Sequence, residues 1–449
     1  DVIVRPGFWD GGDTWKVRFA PTAVGVWTYR ITSSDATNGG LQLAGTLECV
    51  PYAGNLDIYK RGFLKISSDN RYLTYADGTP FFWLGDTHWF FDRKESWDKA
   101  NKPGWNSQFK DMVDRRVEQK FTVYQSVIFG PEAAYWESGQ EGVRLNPDRF
   151  REEIDRKMAY IADQGLVNAF GIGFQRNIDG FVEGSQRLAK YMVARYGAYP
   201  MVWITAGEGA GYDVAEREAR VDGWRKSAQQ FHVYDAYDHP QTAHTTALTE
   251  KASFGLPQFY EGEGWFDFEL LQGGHKKFVP AADYDYYRST YGAPFMESEA
   301  NYEQINDGWA TDTRVRQSAY RSIQAGGFGY TYGANGIWNA AWDAEDTVDD
   351  SGYGHHNWFD AIDFPGGYQM THLRDFYTSL PWETLKYQPD GWAEWSGEFA
   401  SEEDRPVLKA DDAANVVTVY FSAGTSSKGF LERLAASAYK ARWFNPRSG

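Results

Sequence analysis

Between about residues 78 and 380 the chain repeats one local pattern, a short apolar run followed by a helical stretch, and this repetition limits its possible folds more than any other feature. The first four runs are Phe81-Phe82-Trp83-Leu84, Phe121-Thr122-Val123-Tyr124, Leu166-Val167-Asn168-Ala169-Phe170 and Met201-Val202-Trp203-Ile204. The segment around Thr242-Ala243-His244 follows, then Phe259-Tyr260, Pro294-Phe295-Met296 and Gly329-Tyr330-Thr331-Tyr332. Runs this apolar read as strands buried on both faces, the condition of a parallel sheet covered by helices. Helical stretches separate most of them. Asp148 to Gln164 places Ile154, Met158, Ile161 and Ala162 on one face, and Gln186–Tyr196 and Asp213–Gln230 are two more. Eight strands with intervening helices predict an α/β fold, a (β/α)₈ barrel over residues 61–385. An open doubly wound sheet competes, but no Gly-x-Gly-x-x-Gly or P-loop string follows any run.

The flanks read differently. Trp15, Val17 and Phe19 alternate with Lys16 and Arg18, and Trp27, Tyr29 and Ile31 alternate after Gly25. This period of two predicts a small β-sandwich-like module over residues 1–60, whose first strands are expected to lie outside the sequence. After Pro381 the strands Val407-Leu408 and Val416–Phe421 predict a second β module over 386–449.

Composition narrows the partners. A net charge of −17 argues against nucleic acid and anionic membrane surfaces and is compatible with a neutral polysaccharide. No apolar run approaches the ~18 residues that a membrane helix needs. The single cysteine, Cys49, excludes an internal disulfide framework and a Cys-rich zinc site. Asp1 opens directly into strand-like sequence, so any leader lies outside it. The chain carries 19 Trp, 29 Tyr and 29 Phe, which fill a core or offer the flat apolar faces on which sugar rings stack.

In a barrel, chemistry gathers at the C-terminal ends of the strands. Glu208 follows the fourth candidate strand and Glu299 the seventh, on opposite sides of the bore. Two such carboxyl groups fit glycoside hydrolysis, one protonating the leaving oxygen and the other attacking the anomeric carbon. Glu297 rivals Glu299, because residues two apart on a strand share a face. Asp86, His88 and Trp89, at the end of the first strand, are candidates for holding the sugar through hydroxyl contacts and stacking. His244, His275, Tyr302 and Trp338 are further candidates, Tyr302 as a hydroxyl that keeps the neighbouring carboxylate ionised. His239, His244 and His275 could instead ligate zinc in a metal-dependent hydrolase. Scattered histidines in a sugar site more often bind hydroxyls, and the expectation is no metal and no cofactor. A non-catalytic carbohydrate-binding protein on the same barrel is the other alternative. Asp346, Asp349 and Asp350 read as solvated charges of a polar loop.

The chain resembles the apiosidase-like glycoside hydrolases. The resemblance runs from Phe81–Trp89 through Ala194-Arg195-Tyr196-Gly197 and Val202-Trp203-Ile204 to Gln272-Gly273-Gly274-His275. It continues with Glu299-Ala300-Asn301-Tyr302-Glu303, Tyr332–Trp338 and Pro365-Gly366-Gly367-Tyr368-Gln369-Met370. Gly7–Gly12 and Trp15–Pro21 are similar to the Ig-like domain that often precedes such barrels, and Trp443–Arg447 to a C-terminal β module of relatives. The resemblance implies a retaining hydrolase acting on a plant or microbial saccharide, with secretion inferred from that function. It also implies the nucleophile in Glu-x-x-Tyr-Glu, which selects Glu299 over Glu297. Relatives commonly carry Gly-Gly-Asp where this chain has Ala206-Gly207-Glu208. Glu reaches one carbon further, so sugar or backbone must sit differently here.

Overall fold

The structure is a computed structural model that describes residues 2–449 apart from 213–214, 248–256, 276–277, 344–352, 390, 397–398, 400, 423–427 and 435–437. Asp213, Asp346, Asp349 and Asp350 therefore lie outside the described residues.

Eight parallel strands close into a barrel. They are β1 Trp83–His88, β2 Val123–Val127, β3 Val167–Gly171, β4 Met201–Ile204, β5 Gln241–His244, β6 Phe268–Leu271, β7 Phe295–Glu297 and β8 Gly329–Tyr332. Closure is made by β8 on β1, with Gly329 opposite Trp83 and Tyr332 opposite Asp86. The helices between them are α1 Gln108–Glu118, α2 Asp155–Asp163, α3 Val182–Tyr196, α4 Arg217–Tyr234, the short α5 Pro257–Tyr260, α6 Ala281–Tyr291, α7 Asp312–Gln324 and α8 Pro365–Thr378.

Alternation along each strand divides two cores. Val123, Val167, Ala169, Val202, Ile204, Phe268 and Met296 join one buried cluster, while Tyr124, Phe170 and Trp203 pack with α2 and α3 in another. Inside the bore the indole of Trp83 donates to Thr331 Oγ1 at 2.9 Å, and Thr331 donates to Gln125 at 3.1 Å. Every strand residue of β2 to β6 is buried, as strands covered on both faces must be.

Two elements differ from expectation. Phe259-Tyr260 is the end of α5, and the sixth strand is Phe268-Glu269-Leu270-Leu271. A fully buried glutamate, Glu269, interrupts that apolar run, and its charge acts on Tyr287 of α6. The first strand begins at Trp83 and continues to His88, whereas Pro80–Phe81 belongs to a separate antiparallel sheet with Lys65–Ile66 and Leu73–Thr74. The helix expected over Asp148 to Gln164 is interrupted by a π-type turn at Phe150–Ile154.

Small β sheets flank the barrel on both sides. At the N-terminus Phe8–Trp9 pairs with Trp15–Lys16, and Gly25–Ile31 with Leu43–Cys49. Buried Arg195 on α3 holds Asp10 at 2.7 Å and Asp155 at 2.6 Å, and Arg18 reaches the same Asp155 at 2.7 Å. After the barrel, Lys386–Tyr387, Val407–Ala410 and Val417–Tyr420 form a three-stranded sheet against α7. Tyr420 stacks on Tyr320 of that helix at 5.1 Å.

Candidate active site

Glu208 and Glu299 emerge from the C-terminal ends of β4 and β7 and influence one another electrostatically across the barrel mouth. After β4 the chain leaves extended geometry at once. Gly207 donates to the Gly173 carbonyl at 2.8 Å, a side chain there would overlap the ring of Phe174, and Glu208 takes a positive φ of 46°. A non-glycine residue in that region is strained and persists only where neighbours fix it. They do: Gln175 donates its amide to Glu208 Oε2, and the Tyr212 hydroxyl donates to Oε1 at 2.6 Å. Burial raises the Glu208 pKa, the charge on Glu299 raises it further, and hydrogen bonds from Tyr212, Gln175 and Gln272 offset part of the rise.

Glu299 has the opposite balance. Burial alone would raise its pKa, but the hydrogen bond from His275 and the charges of His244 and His275 hold it below the usual carboxylate range. His244 Nε2 lies 3.3 Å from one carboxylate oxygen and His275 Nε2 3.4 Å from the other. The Trp89 indole donates to Glu299 at 3.2 Å and to the Tyr302 hydroxyl at 2.9 Å. Trp338 packs against Tyr302 at 6.1 Å and against Phe90 at 6.0 Å, continuing the aromatic wall. Trp89, His244, His275, Tyr302 and Trp338 are thus brought together around Glu299.

Glu297 is separated from Glu299 because β7 ends at Glu297. Glu297 still obeys strand alternation and points out of the bore to Tyr284 of α6, which donates at 2.5 Å. Gly273 N–H also donates to it at 2.8 Å, and burial raises its pKa to about 7. The expectation that the two carboxylates share a face fails because the chain turns between them.

Asp86 and His88 are corrected for a related reason. Because β1 runs on to His88, both side chains face the helix layer while Thr87 takes the opposite face. Asp86 is fully buried against Arg116 of α1 at 2.6 Å and against His88 at 2.9 Å. His88 Nδ1 meets Glu95 at 2.7 Å, and Tyr124 donates to that same carboxylate. Neither residue reaches the carboxylate pair; both are spent in this sealed ion network. The three histidines do not converge either. His239 precedes β5, bonded to Asp235 at 2.8 Å, while His244 closes the strand about 16 Å away at ~3.3 Å per residue. Among the described residues no group of three or more His, Cys, Asp or Glu side chains is placed to hold a metal ion.

Sequence reasoning missed Gln175, Tyr212 and Gln272 as partners of Glu208. Gln272 directly follows β6 in the Gln-Gly-Gly-His string, where position alone marked it as a mouth residue. Gln175 opens a short 3-10 turn, Gln175–Ile178, and Tyr212 lies in a loop, neither with any such signal.

Residues 67–384 match the family described as apiosidase-like, catalytic domain, and residues 1–34 match a domain of unknown function, DUF5060. The chain belongs to the apiosidase-like family. Its barrel resembles a solved glycoside hydrolase family 5 protein from Bacteroides vulgatus ATCC 8482, with a TM-score of 0.64 and 20% identity over 82% of this chain and 81% of that one. A second solved glycoside hydrolase gives a TM-score of 0.64 and 21% identity over 81% of this chain and 84% of that one. No curated protein matches in sequence. This apiosidase-like chain is accordingly a glycoside hydrolase on a (β/α)₈ barrel, with a carbohydrate as its substrate. Among the described residues no helix is long and apolar enough to cross a membrane.

Proposed function

We propose that this apiosidase-like barrel is a retaining O-glycoside hydrolase, with Glu299 as nucleophile and Glu208 as acid and base. One observation carries the reading: two carboxyl groups at one mouth have opposite surroundings, Glu208 meeting the neutral donors Gln175 and Tyr212 and Glu299 lying between His244 and His275, which favours the protonated form of the first and the ionised form of the second. A pair of acids so divided supplies the two roles the chemistry requires.

In the first step a Glu299 oxygen bonds to the anomeric carbon while the glycosidic C–O bond breaks, and the Glu208 proton passes to the departing oxygen. In the second, Glu208 takes a proton from water, the water oxygen bonds to the anomeric carbon, and Glu299 leaves as carboxylate. His244 and His275 keep the nucleophile ionised, and Trp89 and Tyr302 hold its orientation. His275 Nδ1 and Gln272 Oε1 are buried with no hydrogen-bond partner among the described residues, which supports a role in meeting sugar hydroxyls. Trp338 forms the wall against which the ring packs. Residues 61–385 act as the catalytic unit, with 1–60 and 386–449 as accessory β modules, and an extracellular plant or microbial saccharide fits this activity.

The test begins with a panel of 4-nitrophenyl pentosides and hexosides together with plant and microbial polysaccharides. Glu208→Gln and Glu299→Gln should each abolish hydrolysis of the selected saccharide, and proton NMR of the first product should show the substrate's anomeric configuration. A fully active Glu299→Gln variant, or an inverted first product, rejects the mechanism.

A further inference from the structure

Tyr212 lies in the loop after β4, four residues beyond Glu208, and has no part in the two-carboxylate scheme above. Its hydroxyl accepts the Ala247 N–H at 3.1 Å and donates to Glu208 Oε1 at 2.6 Å, joining the loops after β4 and β5. The other Glu208 oxygen is taken by Gln175, so the carboxyl plane is fixed from both ends. Tyr212 is 52% exposed, whereas Trp89, Tyr302 and Trp338 around Glu299 are 4%, 2% and 9% exposed. The site thus has a closed aromatic side at the nucleophile and an open aromatic face at the acid.

That asymmetry matches the geometry of the reaction. A proton donor must come within hydrogen-bond reach of the glycosidic oxygen. The group on the far side of that oxygen, the departing sugar, then lies over the residues that flank the donor. Tyr212 is bonded to the donor and presents an open ring beside it. We propose that Tyr212 builds the leaving-group side of this site, its hydroxyl positioning Glu208 and its ring forming the face on which the departing sugar stacks. This rests on Glu208 being the acid. Among the described residues the charged groups facing Tyr212 are Glu208 and Glu299, with Arg220, paired to Asp179 at 2.8 Å, behind the loop at Gly211. Removing the hydroxyl takes a donor from the ionised form of Glu208 and leaves these charges unchanged, so the protonated form gains.

The test uses the full chain with two substrates sharing the sugar chosen by the panel, an oligosaccharide and a glycosyl fluoride, whose leaving group needs no proton and has no ring to stack. Tyr212→Phe should move the alkaline limb of kcat/KM on the oligosaccharide up by about one pH unit, the worth of one hydrogen bond to a charged group. Tyr212→Ala should also lower kcat/KM on the oligosaccharide about tenfold, as loss of a stacking face does, and leave the glycosyl fluoride within about twofold. An unmoved limb in Tyr212→Phe, or equal losses on both substrates in Tyr212→Ala, overturns the proposal. Glu208→Gln separates the two failures. If it keeps wild-type activity on the oligosaccharide, the acid itself is misassigned; if it is inactive while both Tyr212 variants behave as wild type, Tyr212 alone is.

Discussion

Titration of His88 should weaken the fold in a defined pH window. Its ring has no exposed surface, lies 2.9 Å from Asp86 and 2.7 Å from Glu95, and stacks on Tyr124 at 4.0 Å. Burial by itself would expel the imidazolium charge, but the two carboxylates outweigh it and raise the pKa to about 9. In an unfolded chain the same group titrates near ~6.5. The folded value is the higher one, so His88 contributes its full stabilisation below about pH 6.5 and loses it as pH rises through about 9. The whole gap is worth about 3 kcal/mol. Guanidinium chloride unfolding of wild type and His88→Gln, followed by tryptophan fluorescence at pH 6, 7.5 and 9.5, reads it directly. Glu297 and Glu303, whose pKa values burial raises to about 7, titrate in both proteins and cancel from the difference. The stability gap between the two proteins should narrow by about 3 kcal/mol from the lowest to the highest pH. A gap that stays constant would refute the charged state of His88 and with it the sealed network.

Three other outcomes follow from particular contacts. Because Glu299 is held below and Glu208 above the ordinary range, kcat/KM should be bell-shaped, with its acid limb below about pH 4.3 and its alkaline limb above it; an acid limb above pH 5 contradicts the role of His244 and His275. A side chain at Gly333 would overlap the ring of Tyr302, so Gly333→Ala should cost about 1–3 kcal/mol by thermal unfolding and lower activity more than stability alone explains. Arg195→Met removes one of two cations from Asp10, which keeps Lys16 at 2.5 Å, and should cost about 1.5–3 kcal/mol, whereas Lys386→Met, at the exposed pair with Asp412, should change stability by less than about 1 kcal/mol.

The barrel was legible because burial on both faces forces nearly continuous apolar strands; five of the eight candidate runs contain most of the residues that form them, and a sixth, at β2, starts two residues early and holds Val123 and Tyr124 of its strand. The two exceptions share a cause. At β6 a buried carboxylate, Glu269, broke an apolar run that was otherwise present, while a helical Phe-Tyr pair supplied a false one. At β1 the polar string Gly85-Asp86-Thr87-His88 looked like an exit loop because polar residues rarely fill a strand buried on both faces. The partners that make it possible, Arg116 and Glu95, are 30 residues and 7 residues further along the chain. Pairings of that separation leave no periodic trace.

The same boundary problem explains which site residues could be read. Strand alternation assigns a side chain to a face only while the chain remains extended, and both errors at the mouth came from misjudging where extension stops. Glu299 is free to face the barrel mouth because β7 ends two residues earlier; Asp86 is not, because β1 has two more residues to run. What fixes these ends is partly the glycine content of the motif strings. Gly273 gives its N–H to Glu297 and leaves no room for a side chain, since a Cβ there would lie 2.7 Å from the carboxylate. Gly366 does the same for Glu303, the last residue of Glu-x-x-Tyr-Glu, whose carboxylate accepts the Gly366 N–H at 2.9 Å in the first turn of α8. Of the three glutamates at 297, 299 and 303, two are therefore bound to backbone amides of neighbouring segments, and only the one between them faces His244, His275 and Glu208 at the mouth.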